Sequence, residues 1–435
     1  MLLILTDSIS ARIVYIATLM VKEMLGTEFL LTTSMEEFVN FPGPKIIYSR
    51  KVSEDGISIE AAGLLFEQDV KYHEIQCSFL DGTPLIFKSV HPSSALPFDP
   101  FAAGFYLVSR YEEYHSHKRD SYGRFPATES IAWKSGFLEI PVVHAWAEML
   151  KRLLRRHYPE MTFTPRRYQF VPTIDVDHAW CFRGRTITRT LGGFGRSMLK
   201  GNLADVIGRV KVLAGFSPDP YDTYNFIRSV HEPSGNFPLY FILFADYGMN
   251  DNNVTITSKK FHQLLRELDQ HGGVGIHPSL SSGRHLLKLE DEYDGLCEVL
   301  DRDVTISRQH FLKLSLPRTY RCLLQFGITD DFSMGYASHT GFRAGIAMPF
   351  PFFDLSRNEA TSMMIHPVSI MDVTLKDYLR LTPVESLEKI EKMIQLIKSV
   401  NGEFVSLWHN ESLGDAGRWQ GWQRVYKEMV KLASS

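Results

Sequence analysis

Apolar runs and stretches of helical period divide this chain into two parts that meet near residue 165. Before that point, short apolar runs at Leu2–Thr6, Lys45–Tyr48 and Leu85–Phe87 predict strands. Between and after them, apolar positions recurring every three or four residues predict helices over Ser10–Leu25, Asp99–Tyr114 and Ile140–Arg156. Asp99-Pro100 reads as a helix cap followed by proline at the first helical position. The Phe101, Phe105 and Leu107 or Val108 stripe of that helix reads as core rather than as a ligand box. A basic stretch, Arg152, Arg155, Arg156, Arg166 and Arg167, marks the junction and reads as a solvated helix end and linker.

From residue 166 strands and helices alternate. Strands are expected at Phe170–Val176, Leu239–Phe244, Val274–His277, Val304–Ser307, Gly327–Asp331, Phe342–Met348, Met363–Met371 and Phe404–Trp408. Helices are expected at Ser258–Gln270, Arg284–Leu300, Pro317–Phe326, Pro383–Val400 and Trp419–Leu432. Such alternation implies parallel pairing through crossovers. The expected fold is therefore α/β: a smaller α/β domain over 1–165, then a (β/α) barrel of seven or eight strands over 166–435. An open doubly wound sheet is the competitor. Barrels of this kind collect their chemistry at the carboxyl ends of strands. Asp175, Asp177, His277, Arg308, His310 and His409 all fall at or just past such ends.

Composition narrows the function. A net charge of −3 gives no electrostatic case for nucleic acid. The four cysteines (Cys77, Cys181, Cys297, Cys322) form no CxxC pair, which argues against a thiolate zinc site and suits a reducing compartment. Met1 to Leu5 lacks a basic n-region and reads as a strand, not a signal peptide. With no apolar run long enough to span a bilayer, the expected location is the cytoplasm, and peripheral membrane contact stays open.

Thr173-Ile174-Asp175-Val176-Asp177 carries the strongest chemical signal. Alternate strand residues share a face, so both carboxylates can enter one site. Burying them unpaired is costly, and a metal ion or a catalytic role offsets that cost. The competing reading is a solvated strand-to-loop turn. A divalent ion such as zinc suits a set of one carboxylate and two imidazoles, here Asp177, His277 and His310. Asp175 is then the base, Arg308 the group that orients it, and His409 the proton donor to a leaving amine or alcohol. Taken singly, His277 also reads as a strand-end residue bonded to backbone, and His310 as a helix cap.

At these residues the segment 166–435 resembles the polysaccharide deacetylases of the NodB-homology kind (carbohydrate esterase family 4). The resemblance implies a distorted (β/α) barrel that removes N- or O-acetyl groups from sugars with a divalent metal. The first family motif sets a base Asp close to a metal Asp, which implies Asp175 as base and Asp177 as ligand. The second, His-x-x-x-His, falls on His277 but meets Ser281 at its second position. The third, Arg-x-Pro-aromatic, falls on Arg308-Gln309-His310-Phe311, with His310 standing where proline is usual. His310 is expected to replace the ligand lost at Ser281. The last motif, Leu-x-His, matches Leu407-Trp408-His409. The first 165 residues resemble the uncharacterised domain that accompanies such deacetylases in some bacteria.

The expected activity is deacetylation of an amino sugar during bacterial surface-polysaccharide assembly. Its rivals are hydrolysis of another amide or an O-acetyl ester, and a carbohydrate-binding or scaffold protein that has lost the metal. Asp331, Arg343, His366 and Trp408 are expected to contact substrate, with His366 the rival of His310 as ligand. Arg183 to Lys211 holds seven basic residues against one acid, and Arg189 and Arg196 within it are expected to attract a nucleotide- or lipid-linked sugar. A solvated basic helix is the leading reading of that stretch, and the attraction of such a sugar is the hypothesis set beside it.

Overall fold

The computed structural model describes all residues except 55, 165, 200, 249, 250 and 252, together with the side chains of 196, 204 and 284. The expected junction at residue 165 lies outside the described residues, as does the side chain of Arg196.

Strands β1 (Leu2–Thr6), β2 (Phe29–Thr32), β3 (Lys45–Ser49) and β4 (Ser58–Glu60) form a parallel sheet in the order β2-β1-β3-β4. The continuous apolar run of β1 is buried throughout, as a central parallel strand requires. Ser10 caps the helix Ala11–Ala17 by accepting from the Ile13 N–H. Asp99 caps Pro100–Val108 through the N–H groups of Phe101 and Ala102, and every residue of that helix is buried. A short hairpin, β5 (Ser78–Leu80) with β6 (Thr83–Leu85), stands where a strand over 85–87 is expected.

The second sheet has nine strands: β7 (Gln169–Val176), β8 (Leu239–Ile242), β9 (Val274–Ile276), β10 (Ile306–Ser307), β11 (Asp330–Asp331), β12 (Phe350–Asp354), β13 (Glu359–Ile365), β14 (Val368–Met371) and β15 (Glu403–His409). Their order is β12-β13-β11-β10-β9-β8-β7-β15-β14, and only the β12–β13 pair is antiparallel. Just His366 and Pro367 separate β13 on one flank from β14 on the other. Three peptide units reach at most about 11 Å, so the sheet must curl until its flanks nearly meet. This is the expected distorted barrel beside a smaller α/β region. Side-chain alternation divides its core. Phe241, Phe332, Val368, Val405 and Leu407 form a cluster inside the curl. Ile174, Val176, Phe404 and Trp408 point outward into the larger core under the helices.

Two further stretches differ from expectation, while 183–211 takes its helical reading. The stretch 363–371 is two strands, because it changes partner at Pro367 from β11 to β15. Phe342–Met348 is a buried loop, not a strand. Its backbone is satisfied one group at a time: Phe342 N–H by Leu138 C=O, Gly345 C=O by Val143 N–H, Ala347 N–H by His144 Nε2 and Ala347 C=O by Glu403 N–H. The basic stretch forms two helices, Ile187–Leu199 and Leu203–Leu213. No helix among the described residues is long and apolar enough to cross a membrane.

Candidate metal centre

Register brings the chemistry together. β7 and β15 pair with Asp175 opposite His409. Asp177, His277 and Arg308 each lie at or just beyond the carboxyl end of β7, β9 and β10. Gly275 permits the close approach of β9 to β10, since a Cβ there would sit 2.8 Å from Ile306 C=O.

Asp177 is the hub. Nε2 of His277 lies 3.3 Å from its Oδ1, Nε2 of His310 3.4 Å from its Oδ2, and Nε2 of His409 3.8 Å from the same oxygen. Asp177, His277 and His310 each offer a ligand atom, and the three atoms lie within 4.8 Å of one another. The far nitrogen of each ring is held by an acceptor. Nδ1 of His277 is 2.5 Å from Arg308 C=O, Nδ1 of His310 is 2.9 Å from Asp251 Oδ1, and Nδ1 of His409 is 2.8 Å from Asp372 Oδ1. These partners put the proton on Nδ1 and turn each Nε2 toward Asp177.

The electrostatics follow from this geometry. Burial favours the neutral form of Asp177, but the imidazoles outweigh it and hold the carboxyl well below its ordinary range. Burial lowers His310, yet Asp177 and Asp251 together push it up to about 9. His409 is likewise carried well above its usual value, by Asp372 first and then Asp177 and Asp175. Asp175 is clamped at Oδ1 by Arg308 Nη1, at 2.7 Å. The same Nη1 donates to Thr173 Oγ1, and Arg308 Nε donates to Phe332 C=O. Arg308 is fully buried over the Phe241 ring. Oδ2 of Asp175 lies 3.7 Å from His277 Nε2.

A divalent cation fits this set. Asp177 Oδ1 is buried yet makes no aligned hydrogen bond, and two oriented imidazoles with one carboxylate are a donor set that zinc accepts. Ser281, which stands where a second-motif histidine is expected, lies beside this network. Its Oγ accepts from Lys288 Nζ and donates to Asp251 Oδ2, the carboxylate that bonds His310.

Sequence reasoning missed Asp251 and Asp372, the carboxylates that orient His310 and His409. Asp372 follows a strand end, which was a signal. Asp251 sits in a polar loop without periodicity, which gave none.

The four residues expected at the substrate lie elsewhere. Asp331 is buried and held by Ser307 and Ser333. Arg343 is buried against Glu113 at 2.6 Å. Trp408 is buried and faces outward, edge-on to Trp422 and Tyr426. His366 stacks on Phe332 and is bonded by Glu403 and Asp330, at 2.8 and 2.9 Å. Both ring nitrogens are thus taken by carboxylates, and His366 is not among the residues that converge with Asp177. It therefore does not rival His310 as a ligand.

His366 has a separate consequence. Burial lowers it, but Asp330 and Glu403 outweigh burial and push it up to about 9. A raised folded value gives stability that is complete below the unfolded value near 6.5 and lost as pH rises through about 9. The amount is about 3 kcal/mol. Urea midpoints of the wild type should fall more steeply over this window than those of His366→Gln. Parallel curves would reject the assignment.

The loop carrying His310 is braced from the first part of the chain. Tyr122 stacks on Phe311 at 4.8 Å, and Arg124 Nη1 donates to Phe311 C=O at 3.0 Å. Phe311 and Leu312 hold φ of 60° and 52°, a left-handed pair that side chains adopt only under constraint.

Arg189 is engaged locally, over the Tyr247 ring at 4.2 Å and on Asn253 C=O at 3.0 Å.

Comparison with known proteins adds four observations. Residues 2–159 match a family of unknown function, DUF7033. No curated protein matches the chain in sequence. A Mycobacterium smegmatis protein assigned as a polysaccharide deacetylase superimposes with a TM-score of 0.40 at 14% identity, over 61% of this chain and 84% of that one. Puue allantoinase superimposes at 0.39 and 9%, over 60% and 84%. At these scores the likenesses decide nothing about chemistry, which is argued from the geometry above.

Proposed function

We propose that this protein is a metal-dependent hydrolase that removes an acetyl group from an N-acetylated sugar in bacterial surface-polysaccharide metabolism. One observation carries the hydrolase reading: His277 and His310 turn their Nε2 atoms onto Asp177, two residues along from the clamped carboxylate of Asp175. The acetyl group and the sugar rest on the resemblance of Thr173–Asp177 and Leu407–His409 to the deacetylase motifs. Residues 1–165 serve as an accessory unit to the barrel of 166–435, in the cytoplasm.

Asp177, His277 and His310 would hold the ion, zinc by preference. When bound, it supplies Lewis acidity toward water and an acyl carbonyl. Arg308 fixes the Asp175 carboxylate by one oxygen, and the other oxygen takes the proton of the attacking water. The water oxygen bonds to the carbonyl carbon and the C–N bond then breaks. His409, fixed through Nδ1 by Asp372, gives its Nε2 proton to the departing nitrogen. Acetate and a free amine leave in equal amounts.

The test is metal analysis of the purified protein with an acetate and amine assay on N-acetylglucosamine oligomers. One ion per chain, lost in Asp177→Ala and His310→Ala, with acetate and amine released together, is the expected result. Acetate from O-acetyl esters alone would move the assignment to ester hydrolysis. A chain that binds the oligomer but neither ion nor acetate chemistry would be a carbohydrate-binding protein.

A further inference from the structure

The helical hairpin of residues 187–213 is built inside out. On Ile187–Leu199, residues Ile187, Leu191 and Met198 recur at helical spacing and share a face. On Leu203–Leu213, residues Leu203, Ile207 and Val210 do the same. All six are exposed, from 49% at Val210 to 80% at Ile187. Inward, beside the buried Val212 and Phe182, sits a polar cluster. Ser197 Oγ donates to Asp205, and Arg209 pairs with Asp205 at 3.2 Å beneath the rings of Phe182 and Phe194. A helix bathed in water shows the reverse arrangement.

Charge says what covers this face. Seven basic residues and one acid lie between Arg183 and Lys211, in a chain whose net charge is −3. Lys211 is exposed, and the Arg183 side chain is 40% exposed. A second copy of the chain would set like charge against like charge. An anionic surface is complementary.

The hairpin is rooted at the metal centre. Asp219 accepts from the N–H groups of Cys181, Phe182 and Arg183. Asn410, next to His409, donates to His178 C=O and Tyr221 C=O at 2.9 Å. Both feet therefore stand beside Asp177.

We infer that this hairpin docks on an anionic phospholipid bilayer, with its apolar stripes at the headgroup boundary and its cations against lipid phosphates. Docking turns the mouth of the barrel toward the membrane surface. The inference stands on the hairpin alone and not on the chemistry proposed above.

The test is flotation of the full-length protein with phosphatidylcholine vesicles, neutral or carrying about 30 mol% phosphatidylglycerol. The protein should float with the anionic vesicles and be partly released by about 0.5 M salt. Leu191→Ser with Leu203→Ser, and separately Lys211→Glu, should each weaken binding by about tenfold, with unchanged circular dichroism melts. Asp177→Ala should bind vesicles as the wild type does, so failure of this inference and failure of the metal centre are read separately. Equal flotation with both vesicle types would overturn it. So would a dimer that the leucine variants convert to monomer, which would show the face to be covered by a second copy.

Discussion

Asp175→Asn should retain the divalent ion and lose about a thousandfold in turnover. General bases contribute 10²–10⁴ in rate, and the asparagine amide cannot take the proton. The change is close to isosteric, so the Arg308 Nη1 contact at 2.7 Å can pass to the amide oxygen. Asp177, His277 and His310 are untouched, and they alone are assigned to the ion. The split is therefore diagnostic: metal content near one per chain, KM little changed, kcat collapsed. Turnover above a tenth of wild type would remove Asp175 from the base role. Loss of the ion would show instead that Asp175 belongs to the ligand set.

The second large effect concerns stability. Glu113 joins two fully buried guanidinium groups. It accepts from Arg110 Nε at 2.8 Å and from Arg343 Nε and Nη2 at 2.9 and 2.6 Å. Burial opposes its charge, but Arg343 and then Arg110 hold the carboxyl down at about 2. The pair of arginines comes from the two parts of the chain, so this carboxylate links them. Glu113→Gln should cost about 3–5 kcal/mol, because it strands buried cations rather than merely deleting a contact. Arg110 would keep Glu112 at 2.8 Å as its carboxylate, with Tyr336 Oη at 3.2 Å and Arg343 C=O as neutral acceptors. Replacing Arg110, Glu113 and Arg343 together by Met, Leu and Met, with Glu112→Gln so that no carboxylate is stranded, should recover much of that loss, since apolar packing often matches a buried ionic cluster. Denaturant unfolding checks both. A single-variant loss under about 1 kcal/mol would mean that water reaches these groups.

How much of this could be read without coordinates differs from residue to residue. β7 and β15 are legible because seven or eight largely apolar positions in a row have little alternative to a buried parallel strand. β10 and β11 are only two residues long, the last two of the longer strands expected at Val304–Ser307 and Gly327–Asp331. Phe342–Met348 has the composition of a strand, yet nearby backbone partners outcompete a ladder, and no local pattern encodes that. The convergence of Asp177, His277 and His310 followed from placing each at a strand end. The pairing of His310 with Asp251, 59 residues away, and of His409 with Asp372, 37 residues away, depends on loop paths that carry no period. The carboxylates on the two ring nitrogens of His366, Glu403 and Asp330, lie 37 and 36 residues away, and no local pattern encodes those pairings.

Tyr122 and Arg124 grip the peptide of Phe311, whose φ is 60°, next to His310. The cation centre is thus not portable. Excised from its leading segment, the barrel would keep Asp177 and His277 on their strands but release the hinge that aims the third imidazole. Because the same leading segment also holds the buried Arg343 and shares the barrel's apolar core, a graft onto another partner would have to replace both that grip and that packing.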